Sequence, residues 1–318
     1  MLNTVKNLKL SAIPALLGLA AFLAFSGFGG PAAPQVSWAA EAVFAANMSV
    51  PAIQSRLSGV SVFKNDKAEI DASNLAEGYL LVKYTGGKSV TIKVQITKKD
   101  GVTYTYNLNN AGVQEIYPLT EGDGEYTVNV LENVSGTKYA LAYGHTLRLA
   151  LRNGMLPFLY PNQYVDYGEA HATAAQATAL TAGAKSDFDK LDAIYHYIVT
   201  NLSYDYDLAK NVATNYLPKP DSVLQAKKGI CFDYAALACA MLRSQGIPSK
   251  LVIGYAGTAY HAWINVFVET VGWIDKAIYF DGEKFSLMDP TFASGGKGSP
   301  EIYKYIGDGS NYAPKYVR

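Results

Sequence analysis

The chain has 318 residues with 27 basic side chains against 27 acidic ones, a length that suits two globular domains or one large one. Balanced charge leaves no electrostatic footprint for nucleic acid, which needs clustered excess Lys and Arg. Charged residues at 17% and aromatics at 12% argue against extensive disorder, and two cysteines are too few for a disulfide scaffold or a thiolate zinc site.

In chain order, Lys6 and Lys9 form a small positive region ahead of an uncharged run from Leu10 to Ala40. The apolar stretch from Ala15 to Phe25 has the length of a secretory h-region, and Ala40-Glu41-Ala42 and Phe44-Ala45-Ala46 offer cleavage sites. Residues 1–42 therefore read as a signal peptide, and the remainder as secreted or extracytoplasmic. The alternative is an uncleaved signal anchor that tethers the protein to a membrane. Gly27, Gly29, Gly30 and Pro31 break the run and favour cleavage, so no stable membrane insertion is expected afterwards.

Residues 46–149 read as short strands. Tyr79–Tyr84, Val90–Thr97, Tyr104–Asn107, Tyr126–Val130 and Lys138–Tyr143 alternate or are rich in β-branched and aromatic residues, and glycine-bearing turns separate them. This predicts an antiparallel, Ig-like β-sandwich. No cluster of titratable residues in it suggests chemistry, so it reads as a spacer or binding module. From Leu149 to Gly168 runs a connector without strong periodicity. Helices are predicted from Glu169 to Leu180 and from Ser186 to Asn201, the second with Ser186 as N-cap and Phe188, Leu191, Ile194, Tyr195 and Ile198 on one face. Residues 150–318 begin with helices and end with strands, so the fold class is α+β.

Phe232–Arg243 is built from helix formers and is apolar on nearly every face, as a buried central helix would be. Cys231 stands at its first turn, where the helix N-terminus favours a thiolate. Cys239 lies eight residues on, about 12 Å along an ideal helix, too far for a disulfide. Two unpaired thiols in an exported protein must be buried or used. Cys239 fits burial, and Cys231 fits use if a base and an orienting group exist elsewhere. Of the four histidines, His145, His171 and His196 read as structural or surface residues. His261 differs: in a strand from Tyr260 to Val268 it would share a face with Trp263, Asn265 and Phe267, with Ala262, Ile264, Val266 and Val268 opposite. A further strand, Phe285–Met288, ends at Asp289. If it pairs beside the histidine strand, Asp289 can accept the imidazole N–H.

Gly229-x-Cys231-x-Asp-Tyr-Ala-x-Leu, Leu242-Arg-x-x-Gly-Ile-Pro248, Gly254-Tyr255, His261-Ala-Trp263, Trp273 and Asp289-Pro-Thr291 together resemble the transglutaminase-like superfamily core over about residues 185–295. The resemblance implies a papain-like catalytic domain in which Cys231, His261 and Asp289 are nucleophile, base and orienter. It also implies acyl transfer through a Cys thioester, either transglutaminase-like or proteolytic, on peptide or glutamine-type carboxamide bonds. The implied partner is a protein or peptide substrate, associated with the cell surface or cell wall. Neither a cofactor nor a metal is expected, since no closely spaced His/carboxylate ligand set and no EF-hand loop occurs. The Cys231 main-chain N–H is the leading oxyanion donor, with Gln225, Tyr204 and Tyr206 as weaker candidates for a second. The alternative is a non-catalytic surface binding or scaffold protein that retains this fold.

Overall fold

The computed structural model describes residues 59–167, 172–213, 215–274, 278–280, 285–287 and 312–318, all within one compact unit spanning 38–318. The expected signal peptide lies outside the described residues.

Eight antiparallel strands follow one another from 62 to 149: β1 (Val62–Lys64), β2 (Ala68–Asp71), β3 (Tyr79–Tyr84), β4 (Ile92–Lys98), β5 (Thr103–Leu108), β6 (Glu115–Pro118), β7 (Gly124–Ser135) and β8 (Lys138–Leu149). They form two four-stranded sheets, ordered β1-β2-β3-β6 and β5-β4-β7-β8. Period-two patterning sets which faces meet. Ile92, Val94 and Ile96 of β4 turn inward with Tyr104, Tyr106, Val128 and Val130, and share a core with Ile70, Leu80 and Val82 of the other sheet. Lys93, Gln95 and Thr97 point the other way, opposite Asn107, Thr105 and Thr103 of the edge strand β5. The acid Glu132 is buried in the sandwich, where it accepts from Tyr84 Oη at 2.7 Å and Lys88 Nζ at 2.6 Å.

The connector after β8 is a wedge rather than a solvated link. Met155, Leu156, Phe158, Leu159, Tyr164, Val165 and Tyr167 are all buried, which explains its lack of periodicity: nearly every side of it is covered. Helices α1 (Ala172–Thr181), α2 (Asp187–Asn201), α3 (Tyr206–Asn211) and α4 (Pro220–Ala226) surround α5 (Cys231–Ser244). Ser186 caps α2 as expected, its Oγ accepting from the Asp189 amide at 3.1 Å. Of the predicted face, Leu191, Ile194, Tyr195 and Ile198 are buried. Helix α5 packs on a sheet ordered β13-β12-β11-β16, made of β11 (Ser249–Ala256), β12 (Ala259–Val268), β13 (Gly272–Ile274) and β16 (Tyr312–Val317).

At the far end of α5, Arg243 is completely buried. Its guanidinium donates to main-chain oxygens of Ser249 (3.0 and 2.6 Å), Tyr160 (2.8 Å) and Arg318 (2.9 Å). It thereby ties helix, connector and the β16 end together. Strand β16 in turn touches the sandwich: Thr120 Oγ1 donates to the Val317 carbonyl at 2.9 Å, and Arg318 Nη1 to Tyr106 Oη at 3.3 Å.

The pairing that would set Asp289 beside the imidazole is not the one found among the described strands. The strand β15 (Phe285–Leu287) pairs with β14 (Ile278–Phe280) in a separate two-stranded sheet, not with the histidine strand β12, whose neighbours are β11 and β13. Short strands pair with whatever the local hairpin brings close, and sequence spacing does not encode that choice. Asp289 itself lies outside the described residues.

Candidate active site

The site begins at a two-residue parallel pairing. β9 (Ser203–Tyr204) lies beside β10 (Lys228–Gly229), with Tyr204 opposite Gly229. Flanking bonds extend the contact, from Ser203 N–H to the Lys227 carbonyl and from Asp205 N–H to the Gly229 carbonyl, both 2.9 Å. Because β10 runs directly into α5, this pairing places Tyr204 next to Cys231. Asp205 then turns the chain into α3, its Oδ1 accepting from the Leu208 amide at 2.9 Å.

The entry to α5 is fixed by Asp233 in its first turn. Asp233 Oδ2 accepts from the Ile230 N–H at 2.9 Å, and Oδ1 accepts from Tyr216 Oη at 2.6 Å, satisfying a donor that a helix start would leave orphaned. Burial pushes the Asp233 carboxyl up, while the bonds from Tyr216 and Ile230 act the other way. The carboxylate sits so close that a Cβ on Gly229 would lie 2.6 Å from Asp233 Cβ. That is the physical reason for glycine two residues before the cysteine. The Tyr204 hydroxyl is pushed up to about 12, chiefly by burial and further by the neighbouring Cys231, while a hydrogen bond from the Cys231 main-chain amide acts the other way. It therefore stays a donor at neutral pH.

His261 comes from β12, paired opposite Gly254 of β11. Only 6% of its surface is exposed. Its ring stacks at 6.3 Å on Trp263 and meets Tyr312 edge-on at 6.2 Å. A Cβ on Gly254 would come within 2.1 Å of the Ala313 carbonyl oxygen and 2.9 Å of the Trp263 ring, so glycine there allows β16 to close against the histidine strand. The two expected faces of β12 are observed: Ala262, Ile264, Val266 and Val268 enter the main core, and Trp263 packs with Val252, Ala256 and Tyr312.

Cys231 and His261 line one cleft of about 480 Å³. Tyr204 and Tyr216 line it from the helical side, and Lys93, Thr105 and Asn107 line it from the sandwich. The sandwich is thus a wall of the cleft and not merely a spacer. Other candidates are not in it: Gln225 is exposed, Tyr206 is 65% exposed, His145 stacks on Phe63 at 3.8 Å, and His196 pairs with Asp192 at 3.1 Å. His171 lies outside the described residues. Cys239 is fully buried, and burial pushes its thiol up to about 11. Among the described residues no group of three or more His, Cys, Asp or Glu side chains is placed to hold a metal ion, and no helix is long and apolar enough to cross a membrane. Sequence reasoning missed Tyr216, Lys93 and Arg318. Asp233 could have been found as the acid three residues after the helix cap, but its tyrosine partner has no sequence signal.

Residues 174–276 match the family model of the transglutaminase-like superfamily. The chain is 23% identical over 193 residues to the uncharacterized protein YebA of Bacillus subtilis, a match covering 52% of this chain and 25% of that one. It spans about a quarter of the length of the curated relatives it matches. Among solved structures, it is similar to a protein described as a candidate cysteine protease from Cytophaga hutchinsonii (16% identity, 73% of this chain and 69% of that one, TM-score 0.35). It is also similar to red sea bream transglutaminase (14% identity, 67% and 48%, TM-score 0.26).

Proposed function

We propose that the protein is an exported thiol enzyme that cleaves or exchanges an amide bond through a Cys231 thioester. The observation that carries this reading is the shared cleft: a half-exposed cysteine at the first residue of a buried helix and a buried histidine on the adjoining sheet open onto the same cavity. In a transglutaminase-like domain these are the positions of nucleophile and base. Cys231 sulfur attacks the carbonyl carbon of a peptide or glutamine-type carboxamide. His261 takes the thiol proton and delivers it to the leaving amine as the C–N bond breaks. Water or a second amine then attacks the thioester and releases Cys231. Asp289, by the family pattern, holds the imidazole. The oxyanion formed in both steps is met by the Cys231 main-chain N–H and the Tyr204 hydroxyl, both of which belong to residues lining the cleft.

Mass spectrometry of peptides incubated with the protein and an amine acceptor tests the reading and sorts its branches. An added amine mass identifies a transferase, chain cleavage a protease, and a one-dalton gain a deamidase. No change over a broad peptide set, with intact protein, would sink the enzyme reading and favour a binding protein.

A further inference from the structure

Among its described residues the cleft wall carries an excess of positive charge. Two side chains lining it are cationic, Lys93 from β4 and Arg318 just beyond β16, and none of its described lining residues is Asp or Glu. Neither cation forms an ion pair among the described residues. The Lys93 ammonium donates to the neutral amide oxygen of Asn107 at 2.5 Å. Arg318 is only 4% exposed, and its guanidinium lies 4.4–4.8 Å from the ring centroids of Tyr104, Tyr106 and Tyr164. It donates to the Tyr106 hydroxyl at 3.3 Å, and its Nε has no hydrogen-bond partner in the structure. Burial disfavours the Arg318 cation, and the surrounding tyrosines more than offset that and hold it charged. Both charged side chains among the described lining residues are thus cationic, which suits a ligand carrying negative charge.

We infer that the cleft is selective for an acidic peptide: an acyl substrate with a free carboxylate near the reacting carbonyl, received between Lys93 of the sandwich and Arg318. The sandwich then acts as a specificity element, because Lys93 and Asn107 face each other across β4 and β5 and share the outward face with Thr105. Tyrosine rings around Arg318 suit the aliphatic stem of such a residue, while a lysine or arginine in its place meets like charge in a confined space. The inference rests on the thioester reading only for which bond reacts; the anion-binding site itself stands on the charges.

Alkylation of Cys231 separates the two. Iodoacetate and iodoacetamide differ in charge and share one reaction, displacement of iodide by the thiolate, so the ratio of their rates cancels the ionised fraction of the thiol and reads the local field. Relative to 2-mercaptoethanol, the iodoacetate/iodoacetamide ratio at Cys231 is expected to be raised about 5- to 10-fold at low salt and to shrink in 0.5 M NaCl. Lys93→Gln lowers it several-fold and Lys93→Glu brings it below that of the free thiol, whereas Lys138→Gln on the exposed β7–β8 hairpin leaves it unchanged. The Lys93 variants keep the interior intact, which circular dichroism checks. A ratio equal to that of the free thiol, or unmoved by Lys93→Glu, overturns the anion-binding site and leaves the nucleophile reading standing. A raised ratio together with no turnover of any peptide overturns the enzyme reading and leaves the anion-binding site standing.

Discussion

The two ends of α5 show how one helix serves opposite purposes. At its N-terminus Cys231 is half-exposed in a cleft, next to Tyr204 and held in place by Asp233 and Tyr216. Further along, Cys239 is sealed in the core with its thiol pushed up to about 11, and Arg243 is locked by three main-chain segments. The residue type is the same at 231 and 239. What differs is access and the neighbouring groups. A thiol becomes chemistry only where the fold opens a space and supplies donors, and a thiol without them is packing.

The contrast can be broken most sharply at the sulfurs. Cys231→Ala is expected to cut turnover about a thousandfold or more while leaving the melting temperature near wild type. Cys239→Ala should instead keep activity and lose about 1 kcal/mol of stability in chemical denaturation. Equal loss of activity in both variants would erase the distinction. Next in size, Arg243→Met removes four hydrogen bonds to main-chain oxygens and should cost about 3 kcal/mol or more, read as a lowered denaturation midpoint. A cost near zero would mean that the guanidinium does not hold the β16 end to the helix. Tyr204→Phe removes one donor at the oxyanion position and should lower kcat about 10- to 100-fold with little change in KM. A change confined to KM would make Tyr204 a substrate contact instead.

A smaller effect is expected at Asp233. Asp233→Ala strands the Ile230 amide and the Tyr216 hydroxyl and should cost about 1–3 kcal/mol, while Asp233→Asn retains one acceptor and loses less. Burial raises this carboxyl in the folded state, so the folded form binds its proton more tightly than the unfolded form. Its contribution to stability is full below its unfolded pKa and is lost as pH rises through the raised folded value. Wild type should therefore fall in stability relative to Asp233→Asn across that window, measured by paired urea titrations. Parallel curves would show that the carboxyl's protonation does not matter to the fold.

Much of this was legible in the chain alone, because it rests on local rules. Alternation gave the strands of the sandwich, and β3 occupies the expected Tyr79–Tyr84. Helical spacing and Ser186 gave α2, and the apolar run after Cys231 gave α5. The expected β12 needed only one more residue at its start. Pairings between distant segments were hidden. β1, β2 and β6 are short or irregular in pattern, the connector's burial has no periodic mark, and nothing in Phe285–Leu287 announces that its partner is β14.

The sequence by itself determined that one cysteine begins a buried helix and another lies inside it, and that a histidine sits at a fixed place in a strand, since these follow from periodicity and composition within a dozen residues. Only the tertiary structure decided what surrounds them. Tyr204 reaches Cys231 through a two-residue pairing, and Tyr216 braces Asp233 across a loop. Lys93 and Arg318 meet at one cleft from positions 225 apart. Such meetings depend on how layers dock, a matter of long-range packing and chain closure that no local pattern carries.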